Sequence, residues 1–150
     1  MMTITTNKNE RKGTAATEFA LIIPILLLLT FGTIELCSAM FLRQTLQIAA
    51  FEGARVSVRK RATNDDVRDA IEEFLDARDI TGGTATIDVD VARTEILDPI
   101  EVTVQAPMNG NGILPNGFYT WLRGRQVAAS TVMYKEFIHP DYEEELASGS

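Results

Sequence analysis

Residues 19–34 read FALIIPILLLLTFGTI, sixteen positions without a charged side chain. With Glu35 admitted, the apolar stretch continues through LCSAMFL to Leu42, twenty-four residues before Arg43 is reached. At about 1.5 Å per residue a helix of that length spans roughly 36 Å, enough to cross a hydrocarbon core of about 30 Å. Pro24 removes one helix hydrogen bond, a cost that neighbouring helices and local adjustment absorb in a membrane. The run is too long for a removable secretory signal, and no small-x-small cleavage site closes it. Glu35 and Leu36 stand before Cys37 where a lipoprotein site carries small residues. The sequence holds one apolar run of this length, so a single membrane crossing is expected.

The helix should not end at the membrane surface. Residues 43–62, RQTLQIAAFEGARVSVRKRA, contain no proline and one glycine, Gly53. Leu42, Leu46, Ala49, Gly53 and Val56 recur at spacings of three and four, one narrow stripe on a helix of 3.6 residues per turn. Residues 14–61 are therefore expected to form one transmembrane and stalk helix of about 72 Å. Ala49, Ala50, Gly53 and Ala54 suit close packing against like helices. The other reading is an amphipathic juxtamembrane helix that lays Arg55–Arg61 on lipid headgroups.

Charge divides the 150-residue chain. Residues 1–13 carry a net +2 and residues 14–61 another +2, whereas residues 62–150, with 6 basic and 17 acidic side chains, carry −11. The formal total is −7. A greasy, basic front is thus joined to an acidic, water-soluble back, and no clustered Lys and Arg face offers itself to nucleic acid. One cysteine excludes an intramolecular disulfide framework and a Cys-built zinc site, and the single histidine, His139, excludes multi-histidine metal centres.

In the soluble part Asn64 reads as an N-cap with Asp65 and Asp66 in the first turn, where the helix dipole favours carboxylates. Val67, Ala70, Ile71, Phe74 and Leu75 mark an amphipathic helix to about Arg78, whose outer face carries Asp69, Glu72, Glu73 and Asp76. No glycine-bearing calcium loop surrounds these carboxylates, so they read as a solvated face. After the turn ITGG at 80–83, Ala85, Ile87, Val89 and Val91 alternate with Thr84, Thr86, Asp88 and Asp90 as a strand. Pro99 opens a second strand with Ile100, Val102, Val104 and Ala106 inward, and Pro107 closes it. MNGNGILPNG at 108–117 is a loop, Phe118, Tyr119, Trp121 and Leu122 are expected to plug the core, and a third strand runs from about Gln126 to Phe137. The acidic tail, residues 138–150, has the composition of a disordered segment. The expected fold is α+β: a long N-terminal helix, a second helix and a small three-stranded antiparallel sheet, with residues 62–137 as a soluble domain. Either helix, or both, would cover one face of the sheet.

No phosphate loop, nucleophile elbow or spaced metal-ligand set occurs, so no enzyme activity, catalytic residue, cofactor or metal is expected. The remaining signal is the junction GTAATEF, Gly13 to Phe19. Glu18 stands where the basic leader gives way to the apolar run, and a carboxylate beside hydrocarbon needs a partner. A cut after Gly13 would free an amine on Thr14, one helical turn from Glu18 or within reach of a neighbouring chain's. Glu35, deeper in the run, is expected to be neutral or to pair with another subunit or helix, since a lone charge there costs at least a few kcal/mol.

A basic leader, glycine, glutamate as the fifth residue and an aromatic sixth resemble the processing site of Flp-class type IV pilins. TEFALIIPILLLLTFGTIEL, followed by Arg43-Gln44 and AAFEGAR at 49–55, is similar to the N-terminal module of the TadE-like family. That resemblance implies a minor pseudopilin of the tight-adherence (Tad) pilus, acting in the assembly or initiation of an adhesive fibre. It implies cleavage between Gly13 and Thr14 by an aspartic prepilin peptidase, Glu18 as the pilin glutamate that pairs subunits, and Phe19 as the aromatic of the processing motif. The implied partners are other pilins and pseudopilins, met through the N-terminal helix, and the pilus secretion machinery. The implied location is the bacterial inner membrane, crossed once, with residues 1–13 cytoplasmic and the C-terminal domain periplasmic or carried into an extracellular pilus. The positive-inside count does not favour that orientation, although four of the five basic residues after the span lie at 55–61, well beyond it. The alternative is an uncleaved, membrane-anchored binding or adhesion module.

Overall fold

The computed structural model of the chain describes residues 10–113 and 124–136. Residues 1–9, the aromatic run Phe118–Leu122, His139 and the acidic tail lie outside the described residues. The elements are α1 (Glu10–Ser57), α2 (Asn64–Asp76), β1 (Thr84–Ile87), β2 (Pro99–Pro107) and β3 (Gln126–Tyr134). The architecture is α+β, as the sequence leads one to expect.

α1 is 48 residues long and contains Pro24. It begins four residues before the expected start and ends four before the expected end. Arg61 takes φ 66°, a left-handed conformation that cannot continue a helix, and residues 58–61 form the turn into α2. Along the apolar half, hydroxyls bond back to the helix: Thr30 Oγ1 donates to the Leu26 carbonyl at 2.8 Å and Thr33 Oγ1 to Leu29 at 2.8 Å. These hydroxyls are satisfied within the helix, as a hydrocarbon surrounding requires.

Thr63, not Asn64, caps α2. Its hydroxyl accepts from the Asp66 N–H, and the Asp66 carboxylate accepts from the Thr63 N–H at 2.8 Å, completing a capping box. Asn64 is used elsewhere. Its Nδ2 donates to the Val89 carbonyl at 3.1 Å and its Oδ1 accepts from the Val91 N–H at 2.7 Å. This draws residues 89–91 away from the sheet, so β1 stops at Ile87 although the alternation of side chains runs on to Val91.

The sheet has order β1-β2-β3, both pairs antiparallel, with Ile87 opposite Val102 and Val104 opposite Ala129. The inward row of β2 is as expected: Ile100, Val102, Val104 and Ala106 are all buried. Each large aliphatic side chain so buried contributes roughly 1.5–3 kcal/mol. Both helices cover this face. Leu42, Leu46, Ala49, Ala50 and Ala54 of α1 share one core with Val67, Ile71 and Leu75 of α2. The second half of α1 is therefore a wall of the globular part, which begins near Leu42 and not at residue 62.

Gly53 permits this arrangement. A Cβ there would sit 2.5 Å from Ile71 Cδ1 and 3.3 Å from Val102 Cγ1, so α2 and β2 both reach the α1 backbone at this residue. The small face formed by Ala49, Ala50, Gly53 and Ala54 packs within its own chain. The expectation that it receives a like helix is corrected accordingly: the space is already filled.

Candidate functional site: the exposed helix and its junction

Every residue from Gly13 to Thr30 is exposed. Ile22, Leu26 and Leu29 are among the large side chains left bare on the N-terminal half of α1. Bare apolar surface on all sides of a helix needs a nonaqueous surrounding. These eighteen residues rise about 27 Å, close to one hydrocarbon thickness. The α1 helix is long and apolar enough to cross a membrane, and none of its most apolar window is buried.

The twenty-four-residue apolar run therefore divides into two parts. From Phe31 onward one side is covered by the domain, while Leu36, Met40, Phe41, Ile48 and Phe51 remain exposed on the other. That bare stripe continues the apolar surface of the span about 30 Å further along the helix.

Glu35 lies at the division, and its surroundings differ from those expected. It falls two turns before Leu42 on the stripe that continues to Leu46 and Ala49, facing the chain's own domain. A Cβ on Gly112 would be 3.0 Å from Glu35 Oε1, and Oε2 is buried with no hydrogen-bond partner among the described residues. The loop that reaches it is held by Asn111, whose Oδ1 accepts from the Thr81 N–H at 2.9 Å. Asn111 Nδ2 donates to the carbonyls of Thr81 and Pro107 at 2.9 and 2.7 Å. A side chain mimics two backbone partners here, and no periodicity in the sequence could have announced it. Within its own chain Glu35 thus lies beneath the loop at Gly112 and finds no cation among the described residues.

At the junction, Gly13, Thr14, Glu18 and Phe19 are all exposed, with Phe19 at 62%. Nothing lies within 4 Å of a Cβ placed on Gly13. The peptide bond between Gly13 and Thr14 is within the first turns of α1, and a helix end of this kind frays at little cost. Thr17 Oγ1 donates to the Thr14 carbonyl at 2.8 Å. Glu18 follows one turn after Thr14 at the edge of the apolar surface.

The basic turn Arg59-Lys60-Arg61 stands some 29 residues beyond Thr30, or about 40 Å along the helix direction. Among the described residues no group of three or more His, Cys, Asp or Glu is placed to hold a metal ion.

A family model described as TadE-like protein matches residues 13–55. The match begins at the junction glycine, ends at Arg55 and lies entirely within α1. Comparison with curated proteins and with solved structures finds no match.

Proposed function

We propose that this chain, whose long helix carries a TadE-like segment, is a minor pseudopilin acting in the assembly or initiation of a Tad-type pilus. The observation that carries the reading is that the family match, residues 13–55, falls wholly on the long helix whose apolar half is exposed. In this reading a prepilin peptidase cuts between Gly13 and Thr14 and leaves a mature chain whose first residues enter the hydrocarbon. Residues 1–13 face the cytoplasm of the inner membrane, and the α+β domain stands in the periplasm. Glu18 then provides the carboxylate for the new Thr14 amine, within a subunit or between subunits. The exposed stripe from Leu36 to Phe51 is where helices of other pilins or pseudopilins lie against α1, opposite the chain's own domain. The protein acts by packing and positioning, with no cofactor and no catalysis.

The test is the N-terminal sequence and intact mass of the protein taken from its own membrane. A mature chain beginning at Thr14 is expected. Retention of Met1–Gly13 in cells that hold an active prepilin peptidase would favour the uncleaved anchored module.

A further inference from the structure

The loop between β1 and β2 ends in an apolar tip. Ile96 is 50% exposed and Leu97 73% exposed, and Glu95 and Asp98 flank them. Leu97 has φ 70°, a backbone conformation that side-chain-bearing L residues rarely adopt. The loop does not drift into it. The Leu97 N–H donates to the Lys135 carbonyl at 2.8 Å, and the Lys135 N–H to the Asp98 carbonyl at 3.0 Å. The buried Lys135 ammonium is in turn held by the carbonyls of Ser57 and Val91. A strained backbone thus presents a leucine to solvent on a rigid support.

A groove of about 410 Å³ lies between the end of α1 and α2, where Val56, Phe74 and Ala77 are joined by Arg59, Arg78 and the Glu73 carboxylate. Its chemistry complements the tip. Val56, Phe74 and Ala77 supply apolar surface, and two guanidiniums stand over it. Arg55, also on the rim, is occupied by Glu52 at 2.8 Å. Arg59 and Arg78 have no carboxylate partner among the described residues; Arg78 lies 3.5 Å over the Phe74 ring instead. Glu95 and Asp98 likewise have no cationic partner among the described residues. One chain therefore displays two unpaired anions beside a leucine, and a groove of mixed lining in which Arg59 and Arg78 outnumber the one unpaired carboxylate, Glu73.

We infer that the Ile96–Leu97 tip of one copy docks in the α1–α2 groove of a second copy, with Glu95 and Asp98 meeting Arg59 and Arg78. Tip and groove sit at the same end of α1, since Lys135 joins Leu97 and Asp98 to Ser57 while Val56 and Arg59 line the groove. Copies that stand parallel in a membrane hold both surfaces at one height, and this step rests on the reading of α1 as the anchor. The two surfaces differ, so the contact is heterologous. Each docked pair keeps a free tip and a free groove, the geometry that builds a ring or an open array instead of a closed dimer.

The test uses full-length chains in a C37S background, one carrying L97C and the other A77C, differently tagged and co-expressed in the membrane. Oxidation is expected to give a mixed disulfide at least tenfold above that of L97C paired with a control cysteine at exposed Gln126. R59E/R78E in the groove-bearing chain should lower the link about tenfold, and E95K/D98K in the tip-bearing chain should restore it. The altered residues are exposed, and circular dichroism of each variant checks that it folds. A mixed disulfide no stronger than the control, a link that ignores charge reversal, or L97C linking to itself would overturn the inference. The readout does not depend on removal of the leader, so its failure is separable from failure of the pseudopilin reading.

Discussion

The ammonium of Lys135 donates to the carbonyl oxygen of Ser57 at 3.0 Å, tying the chain just after the last strand to the last residue of the long helix. Lys135 is 1% exposed and has a second acceptor, the Val91 carbonyl, also at 3.0 Å. A cation at this place faces the negative end of the α1 dipole and satisfies carbonyls that the helix itself cannot. Lys135→Met leaves these acceptors buried and unpaired, and we expect a loss of about 1–3 kcal/mol in denaturant unfolding.

The same residue sets a pH dependence at the alkaline end. Burial holds the Lys135 ammonium below the ordinary lysine range. The unfolded chain then keeps this proton to higher pH than the folded one, so stability rises as pH climbs from the lowered folded value toward the ordinary one. Lys135→Met should lose that rise, which unfolding curves across the alkaline range would show. An identical slope in both proteins would mean that another group is responsible.

Gly53 is the point of closest approach of three elements. A valine there drives atoms into Ile71 and Val102, both fully buried. Gly53→Val is expected to cost about 1–3 kcal/mol through overpacking, more than the improved helix propensity returns. Thermal unfolding measures it, and an unchanged midpoint would show that α2 can back away from α1.

Asp66 reports on the cap of α2. Its carboxyl is held below the usual carboxylate range by the Thr63 hydroxyl first and the Thr63 N–H second. A carboxylate stabilised in this way adds to stability above its unfolded value and loses that contribution as pH falls through the depressed folded value. Thr63→Ala should cost about 1 kcal/mol at neutral pH, with a smaller difference from the parent in strong acid. A difference constant down to low pH would place the cost outside the capping box.

The two carboxylates of the apolar region should respond differently to mutation. Glu18 is exposed at the junction, one turn from the amine that cleavage would free at Thr14. Glu18→Ala is therefore expected to permit processing but to abolish piliation, read from leader removal and surface pili in the same cells. Normal piliation in that variant would remove the pairing role.

Glu35 faces its own loop beside Gly112, with one oxygen shielded and unpaired among the described residues. Glu35→Gln preserves its shape, so we expect piliation close to that of the parent. Gly112→Val should disturb the loop and lower the thermal midpoint, because its Cβ would lie 3.0 Å from Glu35 Oε1. Loss of piliation in Glu35→Gln, with the protein present and folded, would show that this carboxylate works as a charge between subunits.

The sequence by itself determined the features that local pattern can carry. The sixteen uncharged residues after Glu18, continued to Leu42, are long and apolar enough to read as a helix that crosses a membrane. Pro99 and Pro107 bracket a strand whose inward row, Ile100 to Ala106, repeats every second residue. The stripe Leu42–Val56 shows which face of the stalk is covered, and the junction at Gly13 is legible because its residues are consecutive. Tertiary structure decided what depends on partners far apart in the chain. Asn64 binds residues 89–91 and so leaves the cap to Thr63 and ends β1 early. The sheet and α2 occupy the small face around Gly53, where sequence spacing alone suits a neighbouring helix equally well. Glu35 turns toward Gly112, Lys135 is buried against Ser57, and Leu97 is held out in a left-handed conformation. Hydrophobic period and turn chemistry are local properties and can be read along the chain. Which polar group a buried carbonyl, carboxylate or ammonium will meet is settled only when segments dozens of residues apart come together and exclude water.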